Sequence, residues 1–245
     1  MSEEAAQSDS PRVVLVTGGS RGIGAACVAW FVARGDRVAY TSRTAPADRG
    51  DGSLGLACDV TRPDEVEAAF AALEDRFGPA EVLVSNAGIT RDTLIARMGE
   101  EAWGSVIDTN LTGAYRVARR AVAKMLRLHR GRIIFVSSVG AFIGLPGQAN
   151  YAASKAGLVG MARALAREVA SRSITVNVVA PGLVATDMIE TLGAERIEQM
   201  KALVPLGRTA TPEEIADAVG FLASRGAGYI TGAVLPVDGG MGMGL

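Results

Sequence analysis

VVLVTGGSRGIGAACVAWFVARG, residues 13–35, opens with four apolar residues, turns through a cluster of glycines and continues as an Ala-rich segment of helical period. A short buried strand that runs through a glycine-rich turn into a helix is the first half of a strand–helix–strand unit. Glycines at 18, 22 and 24 permit a tight turn, close approach of a pyrophosphate and close packing of helix on strand. Their spacing, Gly-x-x-x-Gly-x-Gly, departs from the G-x-G-x-x-G fingerprint, and such a turn alone also fits an ordinary tight loop. Its position directly after the first strand favours the phosphate cradle, formed by Gly18, Ser20, Arg21, Gly22, Ile23 and Gly24.

Outward from this stretch, β-branched runs alternate with longer segments of helical period. Strands are predicted at Val13–Thr17, Arg37–Ser42, Leu54–Cys58, Val82–Ser85, Arg132–Ser137, Thr175–Val179 and Ala233–Val237. Helices are predicted at Gly22–Arg34, Pro63–Phe77, Glu101–Leu128, Tyr151–Ala170 and Pro212–Ala223, with Gly35, Gly78 and Gly131 ending three of them. That alternation predicts an α/β fold: one doubly wound domain over 11–245, a seven-stranded parallel sheet with helices on both faces. The acidic, polar residues 1–10 read as a disordered tail, and Pro181–Thr211 is too long for a simple connection.

Composition removes several function classes. Over 245 residues the net charge is -1, which argues against a polyphosphate partner such as nucleic acid. Two cysteines, Cys27 and Cys58, are too few for a disulfide framework, and no Cys/His cluster is spaced for a metal. With no signal peptide and no apolar run of membrane length, the expected location is cytoplasmic. His129 is the single histidine, so most histidine-base mechanisms fall away.

Chemistry concentrates at the ends of the predicted strands. Where an NAD enzyme places a carboxylate after the second strand, this chain has Ser42 and Arg43 and no acid. Arg43 with Arg21 suits a 2′-phosphate through charge-assisted bonds, so NADPH is the expected cofactor; a solvated loop charge is the other reading of Arg43. Cys58, Asp59 and Val60 after the third strand could bracket an adenine, and Ser85, Asn86, Ala87 and Gly88 after the fourth would bring backbone close to the cofactor. Tyr151 and Lys155 lie four apart on one helical face, after a strand ending in Ser137 and Ser138. A nearby ammonium is expected to lower the phenol's pKa and make Tyr151 a general acid, although a lone Tyr-x-x-x-Lys is also a common surface pair. Lys155 is one of only three lysines.

Together TGGSRGIG, SNAG at 85–88, Asn110, Ser138, Tyr151 with Lys155, and PG at 181–182 with Thr186 resemble the short-chain dehydrogenase/reductase family from Arg12 to Gly240. GQANYAASKAGLVGMARALARE, ITVNVVAPGLVATDM and YITGAVLPVDGGMGMG are most similar to its 3-oxoacyl-[acyl-carrier-protein] reductases, the last to the mycobacterial type. The resemblance implies a Rossmann-like fold and reduction of 3-oxoacyl thioesters in fatty acid biosynthesis. It implies that Ser138 holds the substrate carbonyl and Tyr151 protonates it, that Lys155 binds the ribose hydroxyls, and that Asn110 anchors a water feeding protons to Lys155. Pro181, Gly182, Val184 and Thr186 would lie along the nicotinamide, with a substrate loop near 181–211. An acidic acyl carrier protein would dock on Arg130 and Arg172, beside the cleft, and the assembly would be a homotetramer. Ser85 and the His129-Arg130 pair depart from the family pattern, in a structural hydrogen bond and in the carrier-docking arginine respectively.

Three further features bear on surfaces. Gly157, Leu158, Gly160 and Met161 make the 151–170 helix small or apolar on a second face, as a subunit interface requires. Arg119, Arg120, Lys124, Arg127, Arg130 and Arg132 gather positive charge near one helix end, and Met188 and Met200 in the irregular stretch line an acyl channel or simply fill core. Rival readings are another short-chain reductase, acting on a CoA thioester, polyketide or small ketone, and a catalytically silent NADP-binding protein.

Overall fold

Short apolar runs separated by helical segments become parallel strands, because each crossover helix returns the chain to the same sheet edge. The computed structural model describes residues 11–46, 48–186 and 193–243; the predicted tail and Met188 lie outside them. Strands β1 (Val13–Val16), β2 (Arg37–Ser42), β3 (Leu54–Ala57), β4 (Val82–Ser85), β5 (Gly131–Val136), β6 (Ile174–Pro181) and β7 (Val234–Val237) form one parallel sheet in the order β3-β2-β1-β4-β5-β6-β7. The helices are α1 (Gly22–Val32), α2 (Pro63–Phe77), α3 (Glu100–Ile107), α4 (Gly113–Leu128), α5 (Gly140–Ile143), α6 (Ala149–Val169), α7 (Ala194–Lys201) and α8 (Pro212–Ala223).

Alternation along β1 feeds two cores. Val13 and Leu15 pack into the layer of α2, α4 and α6, whereas Val14 and Val16 face α1 and α8. Because β1 to β3 run one way across the sheet and β4 restarts on the other side of β1, a crevice opens at the carboxyl ends of β1 and β4. Thr211 and Glu214 close a reciprocal capping box, with Pro212 as the first helical residue, and so fix where α8 begins.

Four local expectations are corrected. The helix expected over 101–128 is interrupted by a π-helical turn at Asp108–Thr112. Gly131 does not end α4: His129 takes the left-handed turn at φ 54° and Gly131 opens β5, where a Cβ would meet Met125 Sδ at 2.6 Å. Gly35 and Gly78 do terminate their helices, at φ 81° and 94°. The irregular stretch 181–211 contains α7. The basic run on α4 is in part an internal seam: Arg120 binds Glu67 and Glu74 of α2 at 2.8 Å each, and Lys124 lies 3.5 Å from Glu74. The Arg120 hydrogen bonds hold the Glu74 carboxyl below its usual range.

Candidate active site

The glycine cluster is forced by close backbone approach. Gly18 sits at φ 65° with Ala87 Cα 3.0 Å from where its Cβ would stand, and a Cβ on Gly24 would collide with the Gly18 carbonyl. Thr17 then ties β1 to β4: its Oγ1 accepts from the backbone N–H of Asn86 (3.0 Å) and Ala87 (3.1 Å), while Asn86 Nδ2 donates to Thr17 O and Gly18 O, both at 3.1 Å. With those contacts spent inside the turn, the mouth of the crevice stays open above α1. A helix N-terminus of this kind favours an anion.

Above it lies a cavity of about 520 Å³, the size of a cofactor site. Gly18, Ser20, Arg21, Gly22, Ile23, Arg43, Asp59, Val60, Asn86, Ala87, Gly88, Ser138, Tyr151, Lys155, Pro181, Gly182, Val184 and Thr186 all line it. Of the residues singled out in the sequence for cofactor or catalysis, Gly24 and Asn110 alone stand behind that lining. Asp59 is oriented by Thr61, whose N–H and hydroxyl donate to its Oδ1 at 2.9 and 2.8 Å, and Val60 packs against Gly113. Thr186 closes over Gly22, its Cγ2 3.3 Å from the position a Cβ there would take.

The reactive groups come from three elements. Ser138 follows β5, with its Oγ accepting from Gly140 N–H at 3.1 Å, and hydrogen-bonds Tyr151 near the start of α6. Lys155, one turn on, is 4% exposed and donates from Nζ to Val136 O at 2.8 Å, 5.8 Å from the Tyr151 ring centre. Burial pushes its pKa down from 10.5 to about 8. The expected lowering of the Tyr151 phenol is not found: burial raises it, the Ser138 hydrogen bond opposes that, and the Asp92 carboxylate adds to the rise. The reason is that Lys155 aims its ammonium at the β5 carbonyl while packing drives both groups toward their neutral forms.

Asn110 lies in the π-helical turn and braces this group from behind. Its Nδ2 donates to Ile89 O and to Ser154 Oγ, both at 3.0 Å, and its Oδ1 accepts from Ile89 N–H at 2.8 Å. Gly88 makes room, since a Cβ there would stand 3.3 Å from both Asn110 Oδ1 and Lys155 Nζ.

A family profile described as enoyl-(acyl carrier protein) reductase matches residues 18–242. The chain belongs to the short-chain dehydrogenase/reductase family. It is 53% identical over 234 residues to the 3-oxoacyl-[acyl-carrier-protein] reductase MabA of Mycobacterium tuberculosis (strain ATCC 25618 / H37Rv), covering 95% of this chain and 94% of that one. To the reductases FabG of Vibrio cholerae and Escherichia coli (strain K12) it is 48% and 46% identical over 238 residues, covering 95% of this chain and 98% of each.

Within this short-chain dehydrogenase/reductase site, sequence reasoning passed over three buried hydroxyls and amides. Ser137 Oγ donates to Lys155 O at 2.9 Å and fixes α6 on β5. Ser154 Oγ donates to Tyr151 O at 2.7 Å, and Asn150 donates to Arg91 O and Ala102 O at 3.1 and 3.0 Å. Ser137 was visible as half of a Ser-Ser pair; the other two had no signal beyond being polar residues near a helix start. Despite Ser85, the glycine turn keeps its tie to β4 through Asn86. Arg130 and Arg172 are brought to one region but not to the cleft. They precede β5 and β6, so they lie at the amino edge of the sheet, opposite Ser138. Arg130 pairs with Glu81 at 2.8 Å, and Arg172 donates to His129 Nε2 at 2.6 Å.

Proposed function

We propose that the chain is an NADPH-dependent 3-oxoacyl-[acyl-carrier-protein] reductase that forms the 3-hydroxyacyl thioester in fatty acid biosynthesis. The observation that carries this reading is the Ser138–Tyr151 hydroxyl pair on the cavity wall above buried Lys155. Two hydroxyls meeting at one point suit a single substrate oxygen, as carbonyl reduction requires; the carbon–carbon double bond of an enoyl thioester offers no such oxygen at the reacting carbon. The cradle fits a dinucleotide, because Gly18 and Gly22 line the cavity at the amino end of α1 with no side chain to cover the backbone a pyrophosphate would approach. Bound NADPH supplies the hydride. Arg21 and Arg43 hold its 2′-phosphate, Asp59 and Val60 bracket the adenine, and Lys155 binds the ribose. Ser138 orients the carbonyl oxygen, Tyr151 gives it a proton, and Asn110, by holding the π-helical turn, positions the relay that reloads Tyr151. NADPH oxidation with acetoacetyl thioesters on carrier protein, CoA and a short mimic tests the assignment; turnover of an enoyl thioester with none of the oxoacyl substrates overturns it.

Reduction needs Tyr151 protonated, which its raised pKa ensures, and Lys155 charged, which its lowered pKa limits. We therefore expect kcat/KM to fall as pH rises through about 8, the free-enzyme pKa of Lys155. The sign for stability is the reverse: between about 8 and 10.5 the unfolded chain holds this proton and the folded chain does not, so Lys155's own contribution to stability rises with pH. A pH–rate profile flat from 7 to 10 removes Lys155 from the proton path.

We assign the assembly as a homotetramer in the cytoplasm; among the described residues no helix is long and apolar enough to cross a membrane. The outer face of α6 is small and exposed at Ala153, Ala156, Gly160 and Ala164, and Trp103 and Tyr115 stand out beside it at 38% and 48% exposure. An antiparallel pairing of α4 and α6 across a two-fold axis would bring the amino edge of one sheet, with Arg130 and Arg172, toward the carboxyl-edge cleft of the other. In that arrangement these arginines would serve as a docking surface for an acidic carrier. Arg172→Glu is the cleaner probe, since Arg130 is already engaged by Glu81. It should raise KM for the carrier-linked substrate several-fold, lose most of that effect at high salt and spare a short thioester mimic. Equal losses on both substrates would place docking elsewhere.

A further inference from the structure

Arg49 lies in the loop between β2 and β3, a position with no cofactor signature in the sequence. Its guanidinium sits 4.4 Å over the Tyr40 ring, and Nη2 donates to Gly19 O at 2.8 Å and to Ser20 O at 3.2 Å. Both carbonyls belong to the phosphate cradle, and Ser20, Arg21, Ser42, Arg43 and Thr44 line the cavity at that corner. Arg49 is thus fixed one hydrogen bond behind the cavity wall, at the end far from Tyr151 in the strand order. We propose that Arg49 is a third guanidinium of the adenosine 2′-phosphate subsite and sets part of the preference for NADPH over NADH. The proposal rests on the NADPH reading above.

Three observations carry it. First, Arg49 spends only Nη2 on the cradle carbonyls, and among the described residues its Nε and Nη1 have no acceptor, so charged donors remain unspent just behind the cavity wall. Each is a charge-assisted donor suited to a phosphate oxygen. Second, stacking on Tyr40 and the two carbonyl contacts hold the side chain in place before any ligand arrives, so little rotamer freedom is lost on binding. Third, among the described residues no carboxylate forms an ion pair with Arg49. Asp51, the acid that feels Arg49, spends its Oδ1 on the Ser53 N–H at 2.9 Å and the Ser53 hydroxyl at 2.5 Å.

Binding of NADPH, NADH, 2′,5′-ADP and 5′-AMP to the full chain, by calorimetry or nicotinamide fluorescence, tests the assignment. Arg49→Gln should weaken NADPH and 2′,5′-ADP about tenfold and change NADH and 5′-AMP by less than about twofold. Arg49→Lys, which keeps the charge but not the stacked guanidinium with its several fixed donors, should recover only part of the loss. Retained NADH affinity also shows that the variants fold. Equal weakening of NADPH and NADH would reduce Arg49 to a brace for the glycine turn, and unchanged affinity for both would give it no part; either overturns the proposal. A wild-type chain that binds 2′,5′-ADP no better than 5′-AMP instead defeats the NADPH reading itself. That outcome is separate from one in which wild type and variant discriminate equally well.

Discussion

Tyr151→Phe is expected to lower kcat for 3-oxoacyl thioester reduction by about 10³-fold, in the middle of the range for removing a general acid. That loss corresponds to about 4 kcal/mol of transition-state stabilisation. The phenylalanine ring keeps the packing above Lys155, whose Nζ is anchored independently on Val136 O. Ser138 likewise keeps its bond from Gly140 N–H. Only the proton and the second hydroxyl are removed, so NADPH affinity should stay within about twofold and kcat should carry the loss. Residual catalysis should be insensitive to the pH limb near 8, because the group that Lys155 serves is gone. A variant that reduces acetoacetyl thioesters within about threefold of wild type would mean that Ser138 or a water is the donor. Stopped-flow decay of NADPH absorbance under single turnover separates this from slow product release.

The glycine turn, the positions of the strands along the chain and the Ser138, Tyr151 and Lys155 group were legible because each depends on local residue type and spacing. A cradle needs glycine where Gly18 and Gly24 touch neighbouring backbone, and no other residue fits. What was not legible depended on tertiary context. The π-helical turn at Asp108–Thr112 leaves the apolar period of the flanking helices almost unbroken, so the pattern over 101–128 reads as one helix. His129 in the left-handed region defeats the habit of seeking glycine past a helix; polar residues such as His occupy it at modest cost. The placement of Arg130 and Arg172 failed for a topological reason. A crossover helix that begins beside the carboxyl-edge cleft ends at the opposite edge, and α4 alone spans 16 residues, about 24 Å. The Tyr151 phenol was misjudged because spacing shows that Lys155 is near but not which way its ammonium points. Arg49 was invisible for a similar reason, since its meaning lies in Tyr40 and two carbonyls brought to it by the fold.

Arg43→Asp is expected to reduce the NADPH/NADH ratio of kcat/KM by about 10²-fold, through two effects of the same sign. The substitution removes a charge-assisted partner of the 2′-phosphate and places a carboxylate where it repels that phosphate. It also supplies an acceptor for the free ribose hydroxyl of NADH. Arg43 is exposed on the cavity rim directly after β2, so the new carboxylate meets no packed neighbour and the fold should tolerate it. Salt screening makes low ionic strength the sensitive condition. An unchanged ratio would mean that Arg21 and Arg49 hold the phosphate without Arg43. The double variant Arg43→Asp with Arg49→Gln sharpens the point. If both guanidiniums grip one phosphate, the second substitution acts on a ligand already displaced, and the combined loss in NADPH affinity falls short of the product of the single losses. If Arg49 only braces the turn, its effect is independent of Arg43, the losses multiply, and NADH affinity falls alongside. One thermodynamic cycle, run with NADPH and repeated with NADH, therefore distinguishes a shared phosphate site from a scaffold behind it.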